Sequence, residues 1–296
     1  MSLVEQAIAR MRNQANAAAA KAAEAASTSS APAAPAAPVI GRVAGTSKPA
    51  ARITVDKTAL RVNGYVAEEG KEKQFADHFR RIKRPLIEKA MSSDAAAGEP
   101  RVIMITSALP GEGKTFTSIN LALSMALERD VSVLLVDCDV AKRHVGEILG
   151  LKDHVGLLDA LVDESLDVES LVVETNLPGL SILPAGRRIE TTAELLSSKR
   201  MRQLMAGLCL HNPRRVVLLD SPPLLITNEG RALLKVAGQV VLVMRAGHTP
   251  RHCVQDAVAL LGAQQAGGIV LNHAGGRGTD GYYYGYGSYG VAGNDA

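Results

Sequence analysis

The stretch that decides the fold is SALPGEGKTF, residues 107–116. It follows the aliphatic run Val102–Thr106 and precedes the helical pattern TSINLALSMALE. A strand, a glycine-rich loop, Lys-Thr and a helix in this order form a phosphate-binding P-loop, here with Ala108 at the position of the usual first glycine. Glycines let backbone N–H groups turn toward phosphate oxygens, and the helix N-terminus adds partial positive charge. The predicted nucleotide-binding residues of the loop are Gly111, Glu112, Gly113, Lys114, Thr115 and Phe116.

Two polar side chains of the loop have expected roles. Lys114 should reach the β- and γ-phosphates of a nucleotide, and the Thr115 hydroxyl should bind Mg²⁺. A chance glycine turn is the alternative, and the flanking strand and helix argue against it.

Two more aliphatic runs end in acids. VSVLLVDCDV ends in Asp137 and Asp139, and RVVLLDSPPLL ends in Asp220. Each aspartate alone would also suit a turn or a helix cap. Together, at the carboxyl ends of neighbouring strands beside a P-loop, they predict a magnesium–nucleotide site. The predicted catalytic residues are Lys114, Asp137, Asp139 and Asp220, and the predicted metal ligands are Thr115, Asp137 and Asp220.

The second pair of acids raises the question of the reaction. One of Asp137 and Asp139 could accept the proton of a hydroxyl that attacks the γ-phosphoryl group. If that hydroxyl belongs to water, the protein is an ATPase. If it belongs to tyrosine, the protein is a kinase.

Aliphatic runs alternate with helical patterns over residues 100–275. This alternation predicts an α/β domain of the P-loop NTPase class, with a mostly parallel central sheet flanked by helices. The predicted strands are Val102–Thr106, Val131–Asp137, Leu180–Leu183, Val216–Asp220, Val240–Met244 and Gly268–Leu271.

The rest of the chain divides by composition. Residues 1–26 read as an amphipathic helix, which would dock on a partner or a membrane or stay solvated, and 27–50 as an Ala/Pro-rich linker. Residues 51–99 hold a short strand-like run, ITVDKTALRV, and a charged helix over 68–91 that Pro85 should kink or segment. Residues 276–296 form a Gly/Tyr-rich tail with the composition of a disordered segment.

Composition excludes several classes of protein. The net charge of +3 over 296 residues does not indicate nucleic-acid binding. No apolar run reaches the roughly 18 residues of a membrane-spanning helix, and the start does not resemble a signal peptide. Three widely spaced cysteines, Cys138, Cys209 and Cys253, fit a reducing cytosol. We expect a cytoplasmic protein that reaches a membrane only by recruitment.

The tail concentrates the tyrosines. Five of the six tyrosines of the chain lie in GYYYGYGSYG, residues 281–290, separated by glycines. Glycine spacing would let each phenol enter a narrow cleft, so we predict that these tyrosines are modified. The predicted phosphoacceptors are Tyr282, Tyr283, Tyr284, Tyr286 and Tyr289.

The P-loop, the Asp-x-Asp strand end, the Asp-Ser-Pro-Pro strand end and the tyrosine cluster together resemble the bacterial tyrosine autokinases of exopolysaccharide synthesis and export. The opening MSLVEQAIARM and the stretch FRRIKRPLI are most similar to the separate cytoplasmic kinases of exosortase-type exopolysaccharide clusters. The resemblance implies ATP and Mg²⁺ as cofactors and phosphorylation of the tail in trans. It assigns Lys114, Thr115, Asp137, Asp139 and Asp220 to the Walker motifs, and Asn272 to the adenine side.

The same resemblance implies partners. It implies a transmembrane chain-length determinant (a polysaccharide co-polymerase) as activator, a homo-oligomer in the form of a ring, a tyrosine phosphatase, and no nucleic acid. It also implies recruitment to the inner face of the cell membrane. Two motifs depart from the family. Ala141, followed by Lys142, stands where the family often has an arginine. The family's oligomerisation pattern, Glu-x-x-Arg-x-x-Arg, reads Asp77-x-x-Arg80-x-x-Lys83 in this chain.

Two other functions remain open. A Min- or Par-like ATPase switch shares the fold, but it would carry a second P-loop lysine where this chain has Leu109. A nucleotide-dependent scaffold would bind ATP without transferring a phosphoryl group to tyrosine.

Overall fold

The computed structural model describes residues 52–92, 101–262 and 265–274. The predicted N-terminal helix, the linker and the tail tyrosines lie outside these residues. The strands are β1 (Arg52–Ile53), β2 (Val102–Ser107), β3 (Ser132–Asp137), β4 (Val173–Thr175), β5 (Leu180–Leu183), β6 (Arg215–Asp220), β7 (Gln239–Arg245) and β8 (Ala266–Asn272). The α-helices are α1 (Lys57–Val62), α2 (Glu72–Ala90), α3 (Lys114–Met125), α4 (His144–Ile148), α5 (Leu157–Val162), α6 (Thr192–Leu196), α7 (Lys199–His211), α8 (Asn228–Leu233) and α9 (Arg251–Ala259). A short 3-10 helix covers Val168–Leu171.

In the part of the chain that the structure describes, these strands form one sheet in the order β1-β4-β5-β3-β6-β2-β7-β8. The six strands from β5 to β8 in this order are parallel, whereas β4 pairs antiparallel with β5 and parallel with β1. The prediction of a mostly parallel α/β sheet is confirmed.

The sheet has one apolar core on each face. Alternate residues of β2 and β3 face opposite sides, as strand geometry requires. Met104 and Leu134 pack with α5 to α9, and Ile103 and Leu135 pack with α1 to α4. Because the central strands are covered on both faces, their sequences are continuous aliphatic runs rather than alternating ones.

The topology places the P-loop at the switch point of the sheet. From β2 the chain crosses to β3 on one side, and later returns through β6 to β7 on the other side. Ligands bind at such a point, beyond the carboxyl ends of the strands. The register sets Asp137 of β3 opposite Asp220 of β6, and Asp220 beside Ile105 of β2.

Two predictions about the region before β2 are wrong in part. Of the strand-like run, which starts at Ile53, only Ile53 itself lies in a strand, and most of the run is α1. The Asp56 carboxylate caps this helix by accepting hydrogen bonds from the N–H groups of Thr58 (2.8 Å) and Ala59 (3.2 Å). Pro85 does not segment α2, which runs unbroken to Ala90. Its buried face supplies the physical reason, since apolar packing on both sides of the proline outweighs one lost backbone hydrogen bond.

Candidate nucleotide and catalytic site

The P-loop backbone has the conformation that its glycines predict. Gly111 has φ of +77° and Gly113 has φ of +93°, both in the left-handed region that side chains disfavour. At Gly113 a Cβ atom would lie 1.9 Å from the side-chain nitrogen of Asn272, so a side chain there would displace the Asn272 amide. Lys114 begins α3 and is buried. Burial lowers the pKa of its ammonium group, and the negative charges of Asp220 and Asp139 partly oppose that shift.

Asp220 lies at the end of β6, against the first turns of α3. Its Oδ2 accepts a hydrogen bond from the Thr115 hydroxyl at 2.8 Å, and its Oδ1 accepts one from the Ser118 hydroxyl at 2.8 Å. Burial raises the pKa of Asp220 to about 6, although both hydroxyl bonds act to lower it. The structure therefore brings the P-loop threonine and this acid, two of the predicted metal ligands, into direct contact. Ser118 was not predicted, although it lies three residues after Thr115 and thus on the same helix face.

Asp137 is the most perturbed acid of the site. Its Oδ2 accepts the N–H of Gly146, in α4, at 3.0 Å. Its Oδ1 is buried and has no hydrogen-bond partner of good geometry among the described residues, although the nearby backbone N–H of Asp139 also acts to lower the pKa of this carboxyl. Burial, and after it the charge of Asp220, raises the pKa of Asp137 to about 7. A buried, unpaired carboxylate oxygen is suited to hold a cation or to accept a proton.

Asp139 lies two residues further, in the turn that leads to α4. Its side chain is almost fully buried, and its charge contributes to the raised pKa of Asp137. Its carbonyl accepts the N–H groups of Lys142 (3.0 Å) and Arg143 (2.7 Å). Arg143 has φ of +48°, a left-handed conformation in a residue other than glycine, directly beside the acids. The positive charge of Lys142 contributes to the lowered pKa of Lys114.

The donor set fits magnesium better than a metal held by protein alone. Among residues 52–92, 101–262 and 265–274, no cluster of three His, Cys, Asp or Glu side chains could bind a metal. Mg²⁺ typically uses one or two carboxylates, water and substrate phosphates. The Thr115 hydroxyl, Asp220 and the unpaired oxygen of Asp137 would supply protein ligands of this kind.

The P-loop is also tied to the far side of the sheet. The side-chain amide of Asn272, at the end of β8, donates to the carbonyl of Glu112 at 3.0 Å. The Glu112 carboxylate accepts the N–H of Leu109 at 2.8 Å and the hydroxyl of Thr249. Asn272 therefore lies on the loop itself, and its role on the adenine side stays a prediction. Thr249 and its contact with Glu112 were not predicted.

The Phe116 ring is directed toward α2 rather than into the loop. Its centroid lies 5.9 Å from that of Phe75, edge to face, and 6.4 Å from that of Phe79. These rings are the only three phenylalanines of the chain. Its backbone N–H lies in the first turn of α3, where such groups have no partner within the helix. We therefore expect Phe116 to contact a nucleotide through its backbone alone.

The charged residues of the expected oligomerisation pattern already make polar contacts within the chain. Asp77 and Arg80 form an exposed ion pair with each other at 2.5 Å. Lys83 is buried, and its ammonium nitrogen lies 2.6 Å from the carbonyl oxygen of Ser124 and 2.7 Å from a carboxylate oxygen of Glu128. Lys83 is therefore not available on the exposed surface of α2, because its charge anchors α2 to the C-terminal end of α3.

Known proteins match this arrangement. The family model described as AAA domain matches residues 100–261, which is more than half of the chain. The tyrosine-protein kinase YwqD of Bacillus subtilis is 36% identical over 180 residues, which cover 58% of this chain and 74% of that protein. The chain belongs to the bacterial tyrosine autokinases. As a member of this family it is a protein-tyrosine kinase, so the family and the enzyme class predicted from the motifs are confirmed.

Other relatives support the same family assignment. The tyrosine-protein kinase wzc of Salmonella typhimurium is 30% identical over 190 residues, but the match covers 64% of this chain and only 26% of wzc. The kinase domain of VpsO superposes with a TM-score of 0.53 at 33% identity, covering 66% of this chain and 97% of that domain. The kinase domain of Escherichia coli ETK gives a TM-score of 0.58 at 26% identity, covering 70% and 80% respectively. None of the helices in the described ranges is both long and apolar enough to cross a bilayer.

Proposed function

We propose that this chain is an ATP- and Mg²⁺-dependent autokinase that phosphorylates its C-terminal tyrosine cluster in trans and thereby regulates exopolysaccharide synthesis and export. The observation that carries the proposal is Asp137. It is a second buried acid beside the P-loop, with one carboxylate oxygen unpaired and its pKa raised to about 7. Nucleotide binding alone does not require such a group. A proton acceptor works best when its pKa lies near the working pH.

The proposed reaction moves one phosphoryl group. The phenol oxygen of a tail tyrosine attacks the γ-phosphorus, the bond between this phosphorus and the β–γ bridging oxygen breaks, and ADP leaves. The phenol proton passes to Asp137 or Asp139. Lys114 and the backbone N–H groups of the P-loop hold the phosphates in line. Bound Mg²⁺ would be held by Thr115, Asp220 and whichever of the two candidate proton acceptors does not take the proton, and it would neutralise negative charge on the phosphates.

The length of the tail does not decide between cis and trans transfer. Asn272 contacts the P-loop, and Tyr282 follows it by ten residues (282 − 272). A chain of ten residues reaches at most about 36 Å when fully extended. That distance would allow contact with the site of the same molecule or of a neighbour, so transfer in trans needs a direct test.

The proposed partners follow from the family. We propose a transmembrane chain-length determinant as activator, a homo-oligomer, a tyrosine phosphatase that resets the tail, and recruitment to the inner face of the cell membrane. Nucleic acid has no part in the proposal. The match to wzc supports the activator, because it leaves about three quarters of wzc uncovered. A separate membrane chain would take the place of that uncovered part.

The test is intact-mass spectrometry after incubation with ATP and Mg²⁺. The wild-type chain should gain successive phosphoryl groups, whereas Lys114→Met and a form that ends at Ala274 should gain none. Transfer in trans is tested by mixing the two variants, since one supplies only the acceptor and the other only the active site. Phosphorylation of Lys114→Met in the mixture supports trans transfer. Its absence, with wild type still phosphorylated, supports cis transfer.

The same experiment separates the alternatives. If ATP is hydrolysed and no phosphotyrosine forms, also with the cytoplasmic segment of a candidate activator present, the chain acts as an ATPase switch. If ATP binds and is neither hydrolysed nor transferred, the chain is a nucleotide-dependent scaffold.

A further inference from the structure

Glu112 presents a physical problem. It lies between the two left-handed glycines of a loop that receives phosphates, where a negative charge should repel the ligand. Its side chain is only 3% exposed. Both carboxylate oxygens are used by neutral donors, the N–H of Leu109 at 2.8 Å and the hydroxyl of Thr249. The charge is therefore directed at hydrogen-bond donors rather than at solvent.

Thr249 is fixed from its own side. Its hydroxyl oxygen accepts the N–H of Arg245, the last residue of β7, at 2.8 Å. Its N–H donates in turn to the carbonyl of Arg245 at 3.1 Å. Since the oxygen already accepts one bond, the hydroxyl proton is available for Glu112. Pro250 follows and starts α9 with a fixed φ, which further limits how the loop can move.

We propose that Thr249 and Glu112 form a strut that positions the P-loop for nucleotide binding, with both as positioning residues. The strut joins the loop to the end of β7. Asn272 adds a second tether, from the end of β8 to the carbonyl of Glu112. On the other side, Thr115 joins the loop to β6 through Asp220. The phosphate-binding backbone is thus held from both sides by the ends of neighbouring strands.

Loss of the Thr249 hydroxyl removes the donor that faces one oxygen of a buried carboxylate. A hydrogen bond to a charged group is strong enough that its loss changes an equilibrium roughly tenfold to a hundredfold. Without this hydroxyl, the Glu112 carboxylate has to turn toward water or toward the phosphates. Either movement shifts Gly111 and Gly113 from the conformation that points N–H groups at phosphate. The same loss should apply to ADP and ATP, because the loop holds the phosphates that they share.

The test compares Thr249→Val, which keeps the shape and removes the hydroxyl, with Thr249→Ser, which keeps the hydroxyl. The dissociation constant of Mg-ADP is measured by titration calorimetry. Thr249→Val should raise it about tenfold or more, and Thr249→Ser should stay close to wild type. KM for ATP should rise together with the dissociation constant of Mg-ADP, while kcat at saturating ATP changes less. Glu112→Ala combined with Thr249→Val should bind no more weakly than Glu112→Ala alone, because the two residues act through one contact.

Thr175→Val is the matched control. The Thr175 hydroxyl donates to the carbonyl of Leu180 at 2.9 Å, on β5 and apart from the P-loop, so its loss should lower thermal stability without changing ADP affinity. The proposal is overturned if Thr249→Val binds Mg-ADP as wild type does, or if the serine variant loses as much affinity as the valine variant. The inference rests on the proposed function only in requiring that a nucleotide binds. Failure of tail phosphorylation with normal ADP binding would refute the autokinase and leave the strut tested on its own.

Discussion

Replacing Asp137 by asparagine should make the protein more stable and abolish phosphoryl transfer. The carboxylate is fully buried at the end of β3, with one oxygen unpaired and the charge of Asp220 nearby. Asparagine has nearly the same shape and no charge, and its carbonyl oxygen can still accept the N–H of Gly146. The substitution therefore removes an unfavourable charge while preserving the packing.

The size of the gain follows from the pKa. Asp137 titrates near pH 7 in the folded chain, against an ordinary value of 3.8. An acid with a higher pKa in the folded state binds more protons there, so stability falls as pH rises from about 4 to about 7. At 1.36 kcal/mol for each pH unit, the cost is about 4 kcal/mol at pH 8 and about 2 kcal/mol at pH 5. These values are upper limits for Asp137→Asn, because an amide accepts a weaker hydrogen bond than a carboxylate does.

Urea unfolding followed by circular dichroism, with EDTA and without nucleotide, measures the difference. The variant should exceed wild type in free energy of unfolding at pH 8, and the excess should shrink at pH 5. Asp163→Asn is the control, since Asp163 is exposed and its bonds to Ser165 lower its pKa, so that change should not stabilise the fold. Equal stability of Asp137→Asn and wild type at pH 8, or a gain that does not depend on pH, would refute the reasoning.

Three further results are expected. Gly113→Ala should weaken Mg-ADP binding in calorimetry more than Gly111→Ala does, because both changes strain a left-handed position but only the Cβ at 113 would also displace the Asn272 amide. Lys83→Met should lower the free energy of unfolding by about 1–3 kcal/mol in urea titrations, because it leaves the Ser124 carbonyl and the Glu128 carboxylate without their partner, whereas exposed Lys73→Met on the same helix should change little. Chelation of Mg²⁺ by EDTA should stop tail phosphorylation in intact-mass spectra, and restored Mg²⁺ should recover it.

The strands of the central sheet could be predicted from the sequence because buried strands are continuous aliphatic runs. Each predicted strand lies within two residues of an observed one. The strands β1 and β4, with two and three residues, are too short to form a pattern and exist through pairing at the edge. In ITVDKTALRV the β-branched residues suggested a strand, but Asp56 supplies the helix cap, and tertiary packing selects the helix.

Linear motifs were also sufficient to predict that four site residues lie close together, because parallel strands end at one edge of the sheet. These residues are Lys114, Thr115, Asp137 and Asp220. Contacts that join distant parts of the chain had no local signal. Thr249 lies 137 residues from Glu112, and Gly146 reaches Asp137 only through the turn before α4. The partners that set the pKa values and the loop geometry therefore depend on packing that no short motif encodes.

The contacts of α2 bear on how an oligomer would act on the site. Lys83 and the three phenylalanine rings attach this helix along α3, whose first residue is the P-loop lysine. Lys83 could leave only by breaking its contacts with the Glu128 carboxylate and the Ser124 carbonyl. The exposed Asp77–Arg80 pair contributes at most about 1 kcal/mol and can exchange partners at little cost. An oligomer that assembles through α2 would therefore recruit Asp77 and Arg80 and leave Lys83 in place. Because α2 stays attached to α3, any shift of α2 on assembly would reach the phosphate site directly.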